Sequence, residues 1–189
     1  MRHDHVYPSF WSGVAATKYP FEDTVDYSLW ACGLLESGHD TANVSVLAGL
    51  FGEENRFELA HWHRQALRDL RYNDLNDREL FLAHLRGYAE EFIDGKRDFK
   101  DITRHFHDLQ IDEGDELLED LISLHYGYWD FECFDMSDMG ISSLEDFPHA
   151  CTKACEDLIK KIQAEQTVAP SRSLSPSQNP KSSVSGSED

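Results

Sequence analysis

The chain has 189 residues, of which 40% are hydrophobic and 12% aromatic, so it can form the core of one domain and is short for two. Its 36 acidic and 17 basic residues give a formal net charge of −19. Because an anionic surface repels phosphate backbones and anionic lipid headgroups, this composition argues against a nucleic-acid or membrane partner and favours a basic protein.

Helix caps, glycine stops and an apolar period near 3.6 residues predict an all-α fold of about seven helices. The predicted ranges, in chain order, are 24–37, 41–51, 55–71, 77–94, 99–109, 117–125 and a last helix that starts near Pro148. Asp23 and Asp40 are the predicted caps of the first two helices, and Gly38 and Gly95 are predicted to end the first and the fourth. No stretch alternates with period two for long enough to predict a strand. A compact helical array and a short irregular solenoid both fit this pattern.

Residues 24–166 are predicted to form a single helical domain that follows an irregular N-terminal segment, residues 1–23. The last segment, 167–189, contains eight serines and three prolines and hardly any large apolar side chains. It cannot bury enough surface to offset the entropy of ordering, so a disordered tail is predicted. Since its two basic and two acidic residues cancel, the net charge of −19 belongs to the rest of the chain.

Two further features indicate a reduced, cytoplasmic protein. No apolar run approaches the ~20 residues of a membrane span, and the N-terminus, MRHDHVYPSFWSG, lacks the apolar segment of a secretory signal. The cysteines form no C-x-x-C pair, and Cys151 and Cys155 lie four apart on one helical face. There they are expected to pack as small side chains rather than to form a disulfide.

Histidine motifs offer no convincing metal site. The H-x-H pairs, His61/His63 and His105/His107, both fall in predicted helices, where positions i and i+2 point about 200° apart and cannot share an ion. Of the two E-x-x-H motifs, Glu58–His61 and Glu36–His39, the second straddles the predicted helix end at Gly38. One helical motif is too little for a di-iron site, which needs two such motifs and two further carboxylates. No metal and no cofactor are therefore expected.

Catalytic motifs are also missing from the sequence. It contains no G-x-S-x-G elbow, no phosphate-binding G-x-x-x-x-G-K-[ST] loop and no G-x-G-x-x-G fingerprint. The acidic run DLQIDEGDELLED, 108–120, does not have the spacing of an EF-hand calcium loop. No catalytic residue is assigned, and we do not expect an enzyme.

The strongest electrostatic signal is a segment without basic residues. From His105 to Thr152, 48 consecutive residues include thirteen Asp or Glu and no Lys or Arg. These acids are therefore expected to lack basic neighbours, so that their surface carries a strong negative potential. The ordinary alternative is a solvated acidic face that only keeps the protein soluble.

Within this segment, HYGYWDFECFDMSDMG, 125–140, mixes aromatic and acidic side chains. The rings share no single helical stripe, so some are expected in the core and others on the surface. Rigid rings among carboxylates are typical of a binding hot spot for a basic partner, although local core packing explains them as well. The predicted partner-binding residues are Asp112, Glu113, Asp115, Glu116, Glu119, Asp120, Tyr126, Tyr128, Trp129 and Asp130.

Three segments, ESGHDTANVSVLAGL (36–50), NRFELAHWHRQALRDL (55–70) and YAEEFIDGKRDF (88–99), resemble a family of small all-helical bacterial proteins of unknown function. The resemblance extends over about residues 24–135. It implies the fold class and a bacterial, cytoplasmic setting, and it assigns no activity and no catalytic residue.

These observations lead to one functional hypothesis and one alternative. The hypothesis is an acidic binding protein that occludes or regulates a basic protein, most concretely an immunity or antitoxin-type inhibitor of a cationic toxin such as a nuclease. The alternative is a helical adaptor or a homodimeric scaffold without catalysis, in which the same rings form the dimer seam.

Overall fold

The described part of the chain is helical. A computed structural model describes residues 7–53, 55–131 and 136–168, apart from the side chains of Asp112 and Val168. Over these ranges it contains eight α-helices, three short 3-10 helices and no strand. The α-helices are α1 (Phe10–Ala15), α2 (Val25–Glu36), α3 (Ala42–Gly49), α4 (Arg56–Asp69), α5 (Asp77–Ile93), α6 (Phe99–Glu113), α7 (Glu119–Trp129) and α8 (Phe147–Val168). The 3-10 helices span Glu116–Leu118, Ser137–Met139 and Leu144–Asp146. The all-α prediction is confirmed.

Helix boundaries follow the predicted local signals, but two caps differ, and α6 and α7 each end four residues beyond the prediction. Gly38 and Gly95 follow α2 and α5 with φ of 89° and 73°, a region that glycine enters without strain. The N-cap of α2 is Thr24 rather than the predicted Asp23, although the Asp23 carboxylate accepts a hydrogen bond from the Val25 N–H. Asp40 was predicted to cap α3, but the cap is Thr41, whose hydroxyl oxygen accepts the hydrogen bond of the Val44 N–H.

The prediction of an irregular segment over residues 1–23 is wrong for its middle, which forms α1. Six residues with two small ones, Ser12 and Gly13, show no apolar period, so α1 has no helical signature in the sequence. Ser9 caps the helix, and burial against α5 stabilises it. Residues 1–6 lie outside the described ranges.

The C-terminal boundary of the domain also shifts. Helix α8 continues to Val168, two residues beyond the predicted domain end at residue 166. The rest of the predicted disordered tail, residues 169–189, lies outside the described residues. None of the described helices is long and apolar enough to cross a membrane.

Two hydrophobic cores meet at α5. The first is built mainly by α1 to α4 around buried Trp30 and Leu47, and it includes Ala83 of α5. The second is built by α5 to α8 around Phe106 and Phe147. Because α5 faces both cores and packs against α1 and α8, which are remote in the chain, the fold is a compact helical array rather than a solenoid of consecutive pairs.

Cys151 and Cys155 are free and fully buried in the second core, as small packing residues. Cys32 of α2 is also a free thiol and is half-buried. Among the described cysteines, therefore, the prediction of thiols without a disulfide is confirmed. The fourth, Cys133, lies outside the described residues.

Candidate partner-binding site

The outward side of α7 carries two exposed rings. Leu121 and Leu124 point into the second core, whereas Tyr126 and Trp129 are 50% and 58% exposed. Exposed Glu119 lies on the same outward side as Tyr126, because the two positions are seven residues, about two helical turns, apart. Asp130, also exposed, directly follows the helix as its C-cap. The helix therefore presents rings and carboxylates together to solvent.

Histidines from α6 and α7 hold the Tyr126 ring in place. His107 Nε2 and Tyr126 Oη lie 2.9 Å apart and share a hydrogen bond. The His107 ring also stacks on His125, with centroids 4.6 Å apart. Burial and, to a smaller extent, the neighbouring His107 lower the pKa of His125. The His125 ring of this stack is therefore neutral at pH 7. A ring fixed in this way loses little conformational entropy when a partner covers it.

The other two described rings of this segment belong to the core. Tyr128 is half-buried and packs against Phe99 and Phe147, with ring centroids 5.0 Å and 5.4 Å away. Phe131 also packs against Phe147, at 5.6 Å. The prediction of a segment divided between core and surface is confirmed for these rings, and Tyr128 is on the core side rather than an exposed anchor. Phe134 lies outside the described residues.

Three predicted contact acids already have basic partners. Glu113 lies 3.9 Å from Lys18 Nζ, Asp120 lies 3.1 Å from Lys161 Nζ, and Asp115 pairs with Arg78. The Asp115 side chain is only 15% exposed. The expectation that acids of the 105–152 segment lack basic neighbours is therefore wrong for these three. In the fold, Lys18, Arg78 and Lys161, which lie outside this segment in the chain, are next to them.

Three of the remaining acids have no ionic partner within the described residues. Glu116, Glu119 and Asp130 are exposed, and no hydrogen bond or ion pair of their carboxylates occurs within the described residues. The side chain of Asp112 lies outside those residues. We define the α7 face as Glu116, Glu119, Tyr126, Trp129 and Asp130.

Sequence reasoning missed a cleft of about 410 Å³ between the start of α2, α5 and α6. Three carboxylate residues, Glu22, Asp23 and Asp26, lie on its lining. Its aromatic and imidazole lining consists of Tyr19, Phe21, His84, Tyr88 and His105. No local motif marks this cleft, since its lining comes from residues up to 97 positions apart.

The inner wall of this cleft is a hydrogen-bonded histidine pair. Nε2 of His84 and Nε2 of His105 lie 2.8 Å apart, so one donates and the other accepts. Tyr19 stacks on His84 with centroids 4.2 Å apart, and Tyr88 stacks on His105 at 3.8 Å. Burial lowers the pKa of both histidines, which keeps the pair neutral at pH 7. His105 thus faces the cleft while His107 faces α7, so the prediction that the two diverge is confirmed.

Arg97, which lines the cleft, belongs to a buried ion pair with Glu91. The Glu91 carboxylate, 4% exposed, accepts hydrogen bonds from the Ser9 N–H at 2.9 Å and the Ser12 hydroxyl at 2.6 Å. Arg97 donates its Nε–H to the other oxygen at 2.6 Å, and its guanidinium lies 3.8 Å from the Tyr88 ring centroid. The charge of Arg97 is thus neutralised by Glu91, and α1 is tied to α5.

Metal-binding geometry is missing from the part of the chain that the structure describes: no three His, Cys, Asp or Glu side chains are grouped to hold an ion.

Comparison with models of protein families, with curated proteins and with solved structures finds no match to this chain. No family is shown. The resemblance to small all-helical bacterial proteins stays a prediction.

Protonation of the buried His63 is expected to destabilise the fold in acid. His63 Nε2 lies 2.8 Å from the Gly13 carbonyl oxygen between α4 and α1, and burial lowers the pKa of His63 to about 4. The unfolded chain, with an ordinary histidine pKa near ~6.5, binds this proton first, so stability falls as the pH drops from about 6.5 towards 4. The loss attributable to His63 should approach about 3 kcal/mol at the acid end.

Urea unfolding of the wild type and of His63→Gln between pH 7 and pH 4.5 measures this loss. The glutamine keeps an N–H donor for Gly13 and does not titrate. The stability gap between the two proteins should therefore shrink as the pH falls. Parallel curves would show that protonation of His63 is not coupled to unfolding.

Proposed function

We propose that this protein binds a basic protein through the α7 face and thereby occludes or regulates it. The observation that carries the proposal is the pair of exposed rings, Tyr126 and Trp129, set among carboxylates that no described residue neutralises. Exposed aromatic side chains of this size are typical hot-spot residues. Neighbouring carboxylates add fast, selective association with a positive surface.

The mechanism is steric and electrostatic occlusion without catalysis. Trp129 and Tyr126 bury apolar area against the partner, while Glu119 and Asp130 take positions that phosphates would occupy on a cationic groove. The net charge of −19 supports attraction of a basic partner from a distance. An immunity-type inhibitor of a nuclease-like toxin in the bacterial cytoplasm is the most concrete form of this proposal.

A homodimeric scaffold is the second candidate, because the same exposed rings could pack against a second copy. A two-fold seam would bring Glu119 and Asp130 close to their own copies, so like charges would repel across it. Added salt would then strengthen the dimer. A complex with a basic partner responds in the opposite way, since salt screens attraction between unlike charges.

We expect Trp129→Ala to weaken the complex about thirtyfold, corresponding to about 2 kcal/mol for a hot-spot ring. Phe57→Ala is the matched control, since Phe57 of α4 is 89% exposed and lies outside the α7 face. To find the partner, a photo-crosslinking amino acid replaces Tyr126 in cells that express the protein. The affinity of the crosslinked protein for the wild type and both variants is then measured by calorimetry at several salt concentrations.

The proposal is supported if the crosslinked partner has a positive net charge and its affinity falls with salt. Affinity should also be lost with Trp129→Ala and kept with Phe57→Ala. Crosslinking to a second copy, with a dimer that tightens in salt, would replace it with the scaffold. Equal losses for Trp129→Ala and Phe57→Ala would remove the α7 face from the interaction.

A further inference from the structure

The cleft between α2, α5 and α6 contains negative charge that the fold does not neutralise. The carboxylates of Glu22 and Asp26 have no hydrogen bond or ion pair within the described residues, and Asp23 accepts only the Val25 N–H. Arg97 is the basic residue of the lining, and it is paired with Glu91. Arg56 approaches Glu22 but donates to its backbone carbonyl oxygen, at 2.7 Å.

The walls of the cleft suit a flat or compact cation. Tyr19, Phe21 and Tyr88 line it, and the faces of aromatic rings attract guanidinium and ammonium groups at short range, as the Arg97 guanidinium over Tyr88 illustrates. The neutral histidine pair adds no positive charge that would repel a cation. A volume of about 410 Å³ also exceeds what one long side chain occupies.

We propose that this cleft receives one arginine or lysine side chain of the basic protein that binds the α7 face. The inference rests on the proposed function, and it assigns a second contact on the same partner. Three carboxylates neutralise the incoming charge, and the aromatic walls cover the aliphatic part of the side chain. An anionic group is disfavoured by the same carboxylates.

The titration of Asp26 supports this assignment. Burial, then the neighbouring carboxylates of Asp23 and Glu91, raise the pKa of Asp26, and the Arg97 guanidinium offsets part of this rise. A cation seated beside Asp26 would offset this repulsion and stabilise the charged carboxylate. The cleft therefore gains electrostatic stabilisation when it is filled by a cation.

Tyr19 connects the cleft to the acidic segment that precedes α7. Its ring lines the cleft, and its hydroxyl donates to Glu113 Oε1 at 3.2 Å, at the end of α6. Glu116 and Glu119 of the α7 face follow within six residues of Glu113.

The test uses the full chain without its partner. Acetyl-arginine-amide is titrated into the isotopically labelled protein at constant ionic strength, and NMR shifts of His84, His105 and Tyr19 are followed. Acetyl-citrulline-amide has the same size and no charge, so it is the matched control ligand. Saturable shifts at the cleft are expected with the arginine compound only, and equal shifts with both, or none at the cleft, would overturn the inference.

Variants test the role of the carboxylates. Asp26→Asn should weaken binding of the arginine compound about fivefold, which is the effect of losing one nearby charge. Glu22→Gln, at an exposed residue, is a second variant of the same kind. Glu58→Gln, an exposed acid of α4 outside the cleft, should leave the affinity unchanged. Equal affinities for all three variants would contradict the assignment.

Partner binding then separates the two proposals. If the partner is known, Asp26→Asn should weaken its binding by a similar factor, independently of Trp129→Ala. Loss with Trp129→Ala alone would keep the α7 face and overturn the cleft contact. Binding of the arginine compound without any effect of Asp26→Asn on the partner would show that the cleft takes a free cation rather than a partner side chain.

Discussion

Gly87→Ala should lower the free energy of unfolding by about 3 kcal/mol. A Cβ at position 87 would lie 2.4 Å from Ser12 Oγ and 2.5 Å from Ser12 N, so α1 has to move off α5. Such overpacking costs about 1–3 kcal/mol, and displacing Ser12 from the buried Glu91 carboxylate adds about 1–3 kcal/mol. The helix propensity gained by alanine offsets about 1 kcal/mol of this.

Gly49→Ala is the matched control for this prediction. A Cβ at Gly49, at the end of α3, would meet no atom within 4 Å. The same substitution there should stabilise the protein by about 0.5–1 kcal/mol, because alanine loses less backbone entropy on folding. Chemical denaturation measures both variants, and a Gly87→Ala protein as stable as the wild type would contradict the close packing of α1 on α5.

Arg97→Met should also be strongly destabilising, by about 3–4 kcal/mol. It leaves the Glu91 carboxylate buried without its cation, and breaking such a pair typically costs about 3–5 kcal/mol. The lower part of this range is expected because the Arg97 side chain is 32% exposed and partly screened by water. Thermal and urea unfolding measure the loss.

Two variants separate the charge effect from lost packing. Adding Glu91→Gln to Arg97→Met removes the buried charge and keeps an oxygen for Ser9 and Ser12, so the double variant should regain about 1–3 kcal/mol. Arg86→Met breaks the Arg86–Glu90 pair of the same helix, where Glu90 is more exposed, and should cost about 1 kcal/mol or less. A double variant no more stable than Arg97→Met would show that packing of the guanidinium dominates.

Most of the helical fold could be predicted locally, as α4 and α5 illustrate. Their caps and apolar faces lie within each helix, so short-range physics decides where they begin and end. Helix α1 could not be predicted in this way, because its stability comes from packing on α5, more than seventy positions away. The same limit hid the histidine pair of the cleft, whose members are separated by 21 residues.

The candidate site was only partly visible in the sequence. The division of rings between surface and core followed from their failure to share one helical stripe, and Trp129 and Tyr128 bear this out. Which ring lies on which side depends on Phe99 and Phe147, which approach from α6 and α8. Charge pairing was misjudged for Asp115, because a window along the chain does not include Arg78.

The all-α class, the approximate ranges of seven helices and the excess of acid follow from the order of the amino acids, because caps, apolar period and composition are local or additive properties. The unpaired carboxylates, the exposed rings and the cleft became visible once the helices were packed together. Ion pairs, ring stacks and cavities form between side chains that meet in space, and those neighbours are set by how the helices pack rather than by their order in the chain.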